Sequence, residues 1–222
     1  MTPWRNVDYM AAWLAYAKVV CPGDPETAAV LAEAIRAAEE AAWVRVRDEH
    51  RAFTIAQVLA AAGAPVSEEA FAAYRLSWEH ATYTDPEVTP LVKLLRSKGL
   101  RTGVLSSTGW PAAWHEDMLR RDGVLDLFDA RVWSSDLEFT KPHRTAFLAA
   151  MAAVAVDDPA DCVYVGDRLY DDVSGAKAIG MRAVYIPNSD IPDYQLVPVD
   201  VEPDAVVSRL SDLPAVLETW LV

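Results

Sequence analysis

The sequence predicts an α/β fold: a doubly wound parallel sheet preceded by an α-helical unit. Three observations carry this. From about residue 100 onward, short β-branched apolar runs alternate with helical stretches at the spacing of βαβ units, which places helices on both faces of a parallel sheet. Before residue 100, apolar residues recur at three- and four-residue steps and no convincing strand occurs. The polar residues with chemical potential collect just past the ends of predicted strands, where open α/β sheets bind their ligands.

In chain order, Val7 to about Tyr83 reads as four alanine-rich helices, with Asp8 inside the first. A long second helix starts near Asp24-Pro25, its stripe made by Leu31, Ile35, Ala38, Ala42 and Val46. A shorter apolar stretch, Phe53 to Leu59, leads to Gly63 and Pro65. Ser67 then caps a helix whose first turn carries Glu68 and Glu69 and which turns Phe71, Tyr74 and Trp78 inward. The proline-bounded connector 84–90 separates this unit from the remainder of the chain. Then come helix Leu91–Lys98, closed by Gly99; strand Thr102–Ser106; a helix from Pro111 to Asp122-Gly123; strand Ala130–Trp133; and helix Pro142–Val154. Strand Cys162–Val165, helix Asp172–Ile179, strand Arg182–Ile186, a short strand at Ala205 and helix Pro214–Trp220 complete the chain. The expected division is a helical domain over 1–86 and an α/β domain over 87–222.

Bulk properties narrow the partners. A formal charge of −13 without any basic run argues against a nucleic acid or an anionic membrane surface. Cys21 and Cys162 stand far apart with no metal-ligand spacing, so a disulfide framework or zinc site is not expected. No apolar run approaches the ~20 residues of a membrane span, and the first residues lack secretory signal character. The expectation is a soluble cytoplasmic protein, monomeric or a homodimer, acting on a small molecule.

Three places could do chemistry. Around Val104-Leu-Ser-Ser-Thr-Gly-Trp110, the hydroxyls of Ser106 and Ser107 and backbone N–H groups turn a corner into a helix, a geometry suited to phosphate oxygens, although Ser and Thr there also serve as plain helix caps. Lys141 stands before Pro142, expected in the first helical turn, and is therefore held extended at a positive helix end; an isolated lysine is otherwise a solvated surface residue. Asp167, Asp171 and Asp172 crowd the end of one strand and the start of a helix. The helix dipole alone explains an acidic residue at Asp171 or Asp172 but not Asp167, and hard oxygen ligands beside a phosphate-sized crevice suit magnesium.

In this order the residues resemble the haloacid dehalogenase-like hydrolase superfamily, with its Rossmann-like core. The likeness runs from about Pro90 to the C-terminus, through Ser-Ser-Thr-Gly-Trp, Leu127-Phe-Asp129, Ser135-Asp-Leu-Glu138, Lys141-Pro142 and Gly166-Asp-Arg-Leu-Tyr-Asp-Asp-Val-Ser-Gly-Ala176. The helical unit is similar to the cap that many members carry over the substrate. The resemblance implies a magnesium-dependent phosphatase of small phosphorylated metabolites. Ser106 would bind the transferring phosphoryl group and Lys141 would neutralise it. Asp167 and Asp172 would hold Mg2+, with Asp171 a substitute or helper. The enzymatic rival is a metal-free haloacid dehalogenase; the rival of another kind is a non-catalytic binding or regulatory protein. Cap residues Trp4, Arg5, Trp43, Arg45 and Arg47 are candidates to face the pocket, arginine suiting a second anionic group. His50, His80, His115 and His143 show no ligand spacing.

One departure stands out. The family's first motif, a strand ending in Asp-x-Asp whose first aspartate attacks phosphorus, has no counterpart before residue 90. A start further upstream, a truncated chain or a degenerate member each account for this. Loss of a central strand would forfeit about eight to ten ladder bonds at ~1 kcal/mol each, comparable with a domain's whole stability, which favours the first two. The first core strand is thus expected to be missing from these residues, and the chain by itself to be inactive.

Overall fold

The computed structural model describes residues 1–3 and 5–220, and of Tyr194 the backbone alone; Trp4 lies outside the described residues. Four helices come first: α1 (Tyr9–Val20), α2 (Pro25–Glu49), α3 (Ile55–Ala61) and α4 (Glu68–Trp78). Each begins on a side chain that takes an otherwise free amide. Asp8 accepts from Ala11 N at 2.9 Å, so it caps α1 rather than lying inside it. Asp24 accepts from Thr27 N at 3.0 Å, Thr54 and Gln57 form a reciprocal capping box, and Ser67 accepts from Ala70 N at 3.2 Å. α1 packs against both α2 and α4, and Trp13, Tyr16, Ile35, Leu59 and Tyr74 are fully buried in this layer.

Among the described residues the first strand is β1 (Gly103–Ser106), after α5 (Val88–Ser97). α5 begins earlier than the sequence predicts because Pro90 falls in its first turn, where no amide bond is lost. There follow α6 (Ala112–Arg121), β2 (Ala130–Trp133), α7 (Arg144–Ala153), β3 (Val163–Gly166), α8 (Gly175–Ala178), β4 (Arg182–Tyr185), β5 (Ala205–Val206) and α9 (Leu213–Glu218). Pro142 is not in the first turn of α7: His143 is the N-cap, accepting from Thr145 N. The turn after β3 winds as a π-helix over Leu169–Ser174 before α8, earlier and wider than the expected helix from Asp172.

All strand pairings are parallel, and the core is α/β. Alternate strand residues point to opposite faces: Val104 and Val184 pack with α5 and α9, Leu105 and Ala183 with α7 and α8, so the sheet is covered on both sides. The sheet is nevertheless in two pieces, β1 with β2 and β3–β4–β5. Between β1 and β3 runs a cleft lined by every residue of both strands. The Tyr164 hydroxyl of β3 crosses it to donate to Leu105 O of β1 at 3.1 Å.

Candidate active site

The ends of β1 and β3, the approach to α7 and the π-helical turn meet at one rim. Ser106 closes β1, and the chain after it is fixed by Ser134, whose Oγ accepts from Thr108 N at 2.8 Å and donates to Thr108 O at 3.0 Å. Thr140 Oγ1 donates to Ser107 Oγ at 2.7 Å, and Thr140 N donates to His50 O at 2.9 Å, tying the rim to the end of α2.

Lys141 reaches under this rim. Its Nζ lies 2.6 Å from Asp172 Oδ1 and 2.9 Å from the Tyr164 hydroxyl, with side chains only 10% (Lys141) and 3% (Asp172) exposed. Burial opposes the charge on Lys141, but Asp172 and Tyr164 outweigh it and hold the ammonium above its ordinary range. The other Asp172 oxygen, Oδ2, accepts from the amides of Asp167 and Arg168, both at 3.0 Å. Asp172 thus organises the turn from inside. Gly166 makes this possible, because a Cβ there would overlap the Asp172 carboxyl.

Asp167 accepts a hydrogen bond from the Ser189 hydroxyl. Asp171 lies 3.9 Å from Arg168 Nε, and burial raises its carboxyl above the usual range despite Lys141 and Arg168 nearby. All six expected residues, Ser106, Ser107, Lys141, Asp167, Asp171 and Asp172, line one cavity of about 1240 Å³ that continues into the cleft between β1 and β3. They do not share one task. Asp172, expected beside the metal, has both oxygens occupied by Lys141 and the turn amides, so its position is behind Lys141.

Among the described residues no three carboxylate, imidazole or thiolate side chains converge as a ready-made metal cage. Magnesium does not require one: it is commonly held by one or two carboxylates, waters and the substrate's own phosphate oxygens. Asp167 and Asp171 fit that pattern, and Asp171 is a partly buried carboxyl whose desolvation its cationic neighbours do not offset, which a divalent cation would do.

Of the other candidates, Trp43 and Arg47 line the cavity, Arg45 does not, and exposed Arg5 pairs with Asp190 at 3.0 Å while its side chain borders the cavity. Sequence reasoning passed over Tyr164, Thr140 and Ser134. The signal for Tyr164 was present, a hydroxyl-bearing aromatic at an interior position of an apolar strand; Thr140 and Ser134 carry no pattern a sequence reader could separate from capping. His115 stacks on Trp133 and Trp110, and burial, with a smaller push from Arg75, lowers it to about 4, consistent with a neutral packing group. No described helix is long and apolar enough to cross a membrane.

A family model described as haloacid dehalogenase-like hydrolase matches residues 7–180. Glyceraldehyde 3-phosphate phosphatase of Pyrococcus furiosus is 36% identical over 125 residues, covering 56% of this chain and 50% of that protein. Hexitol phosphatase B of Escherichia coli K12 is 32% identical over 130 residues, 59% of this chain and 55% of that one. The chain therefore spans about half the length of the curated relatives it matches. Among solved structures, a 2-haloacid dehalogenase from Pseudomonas syringae pv. tomato DC3000 superposes with a TM-score of 0.63 at 26% identity, over 99% of this chain and 95% of that one.

Proposed function

The chain belongs to the haloacid dehalogenase-like hydrolase family, and from that premise we propose that it provides the phosphate-binding site and cap of a magnesium-dependent phosphatase for small phosphorylated metabolites. One observation carries the reading: Ser106, Lys141 and Asp167, far apart in sequence, line the same cavity at the carboxyl ends of parallel strands. The phosphatase relatives support the choice of phosphoryl transfer.

The residues divide the work among them. Lys141 has three N–H donors; Asp172 and Tyr164 take two, and the third remains for a phosphoryl oxygen. The Ser106 hydroxyl and the amides of the turn after β1 bind the other phosphoryl oxygens. Because Asp172 and Tyr164 fix the ammonium beforehand, little reorganisation accompanies charge development in the transition state. Asp167 and Asp171 would hold magnesium, which supplies neutralisation of the phosphoryl charge. The helical domain, residues 1–86, would act as the cap over the α/β domain, 87–222.

No Asp-x-Asp of the required kind occurs among residues 1–222. We place the attacking aspartate, which would carry the phosphoryl group as an aspartyl-phosphate, on a strand occupying the cleft between β1 and β3. The unpaired edges of both strands support that placement. The test is phosphate binding by calorimetry and phosphatase turnover, with and without Mg2+ and a supplied strand. Expected are magnesium-enhanced phosphate binding that Lys141→Met abolishes, and turnover only with the strand present. Magnesium-dependent turnover by the 222 residues alone refutes the placement of the nucleophile, and absence of phosphate binding refutes the site.

The likeness to the Pseudomonas syringae dehalogenase favours a second reading, release of halide from 2-haloalkanoates, which a chelator would leave untouched. A non-catalytic binding protein would bind phosphate and stay inert even with the strand restored.

A further inference from the structure

The phosphoryl site leaves one partly buried acid in the cavity wall unused. Glu39 lies midway along α2, and Trp13 Nε1 donates to its Oε2 at 2.7 Å. Among the described residues no hydrogen bond occupies Oε1, and the side chain lines the same cavity as Ser106 and Lys141. Burial raises this carboxyl to about 7.

Aromatic rings line the same cavity. Trp43 is one turn further along α2 and meets Phe53 edge to face at 4.9 Å and 90°. Tyr9 meets Trp78 at 5.1 Å and 86°, and Trp78 meets Trp110 at 5.0 Å and 90°. This wall joins the phosphoryl rim directly: Trp110 is four residues beyond Ser106, and a Cβ on Gly109 would strike the Phe53 ring. Rings interlocked in this way form a rigid apolar surface without an anionic acceptor. Glu39 supplies the acceptor. Arg36, in the same wall, is engaged by Glu33 at 2.7 Å and Glu40 at 3.1 Å and leaves Glu39 without a cationic partner.

We propose that Glu39 reads hydroxyl groups on the leaving part of the substrate, so that the substrate class is the phosphomonoesters of small polyhydroxy compounds. The proposal rests on the phosphatase reading of the same cavity. A partly buried acceptor that ligand binding would seal from water favours ligands that bring a donor and disfavours those that leave it bare, while the ring wall takes the C–H faces of the same molecule. A cationic leaving group fits less well, because the rings pack against one another rather than enclosing a box, and Arg36 and Arg47 are among the residues lining the same space.

The experiment compares binding of orthophosphate, butyl phosphate, 2-aminoethyl phosphate and a hexitol phosphate to the 222-residue chain, by calorimetry with Mg2+ at pH 8. The hexitol phosphate is expected to bind at least tenfold tighter than butyl phosphate. In Glu39→Leu that ratio should fall to about one. In Glu39→Gln, which keeps an acceptor for Trp13 and so preserves the packing, it should fall several-fold; this variant decides the matter should Glu39→Leu not fold. Equal affinity for hexitol and butyl phosphates, an unchanged ratio in Glu39→Gln, or tightest binding of 2-aminoethyl phosphate overturns the assignment to Glu39 while orthophosphate binding keeps the phosphoryl site standing. Failure of orthophosphate to bind overturns both.

Discussion

Replacing Lys141 by methionine tests how the rim is held together. The substitution keeps most of the length of the side chain and removes the charge, leaving Asp172, 3% exposed, with its two amide bonds but without a cation. Breaking a buried pair from one side costs roughly 3–5 kcal/mol, because the surviving charge is left uncompensated. With a urea dependence of ~2–3 kcal/mol per molar, the unfolding midpoint should drop by about 1–2 M. Asp172→Asn in the same chain should restore most of the loss: Oδ2 alone serves both turn amides, so an asparagine oxygen placed there keeps both bonds and carries no charge. The double variant should therefore be more stable than Lys141→Met by about 2 kcal/mol or more, a coupling well above that of independent sites. Equilibrium urea unfolding of the parent, both single variants and the double variant closes the cycle. A Lys141→Met cost below about 1 kcal/mol, or additive effects, would show that the pair does not hold the rim together.

Three further outcomes are expected. Glu39, carried from 4.5 toward 7, contributes its full stability below pH 4.5 and loses it as pH rises through 7; the parent should lose up to about 3 kcal/mol between pH 4.5 and 8 on this account, and Glu39→Gln should flatten that slope in paired urea titrations. Gly166→Ala forces a methyl group into the Asp172 carboxyl and should cost about 1–3 kcal/mol, read as a lower thermal midpoint together with weakened phosphate binding; a neutral result would place the carboxyl elsewhere. Asp167→Asn should weaken magnesium binding in the presence of phosphate at least tenfold by calorimetry, and Asp171→Asn less; equal affinity in Asp167→Asn would remove Asp167 from the proposed ligands.

Much of this architecture was legible in the chain because local chemistry and tertiary demand agree. Asp24-Pro25 and Ser67-Glu-Glu announce helix starts that the structure uses, and each strand predicted after residue 100 overlaps a parallel strand. Disagreements arise where one residue has two permitted uses. Pro90 reads as a boundary but is equally at home in a first turn, and Pro142 reads as a first-turn residue while His143 takes the cap. The three aspartates after β3 look alike in sequence. What separates them is the π-helical winding of Leu169–Ser174, which turns Asp172 inward to Lys141 and leaves Asp171 at the cavity; no spacing rule for an α-helix conveys that. Glu39 was invisible for a similar reason: an acid within an alanine-rich helix is ordinarily solvated, and the contact with Trp13 of α1 that partly covers it is tertiary.

Without a strand between them, β1 and β3 would reverse the usual ranking of rigidity within an α/β protein. Amide protons in the middle strands of a parallel sheet normally exchange with solvent last, since only global opening exposes them. Among the described residues the inward edges of those two strands have no ladder partner, while the helices of the N-terminal layer keep their amides closed behind fully buried aromatic rings. In the 222 residues alone deuterium should enter β1 and β3 before it enters α1, and a strand supplied to the cleft should reverse that order.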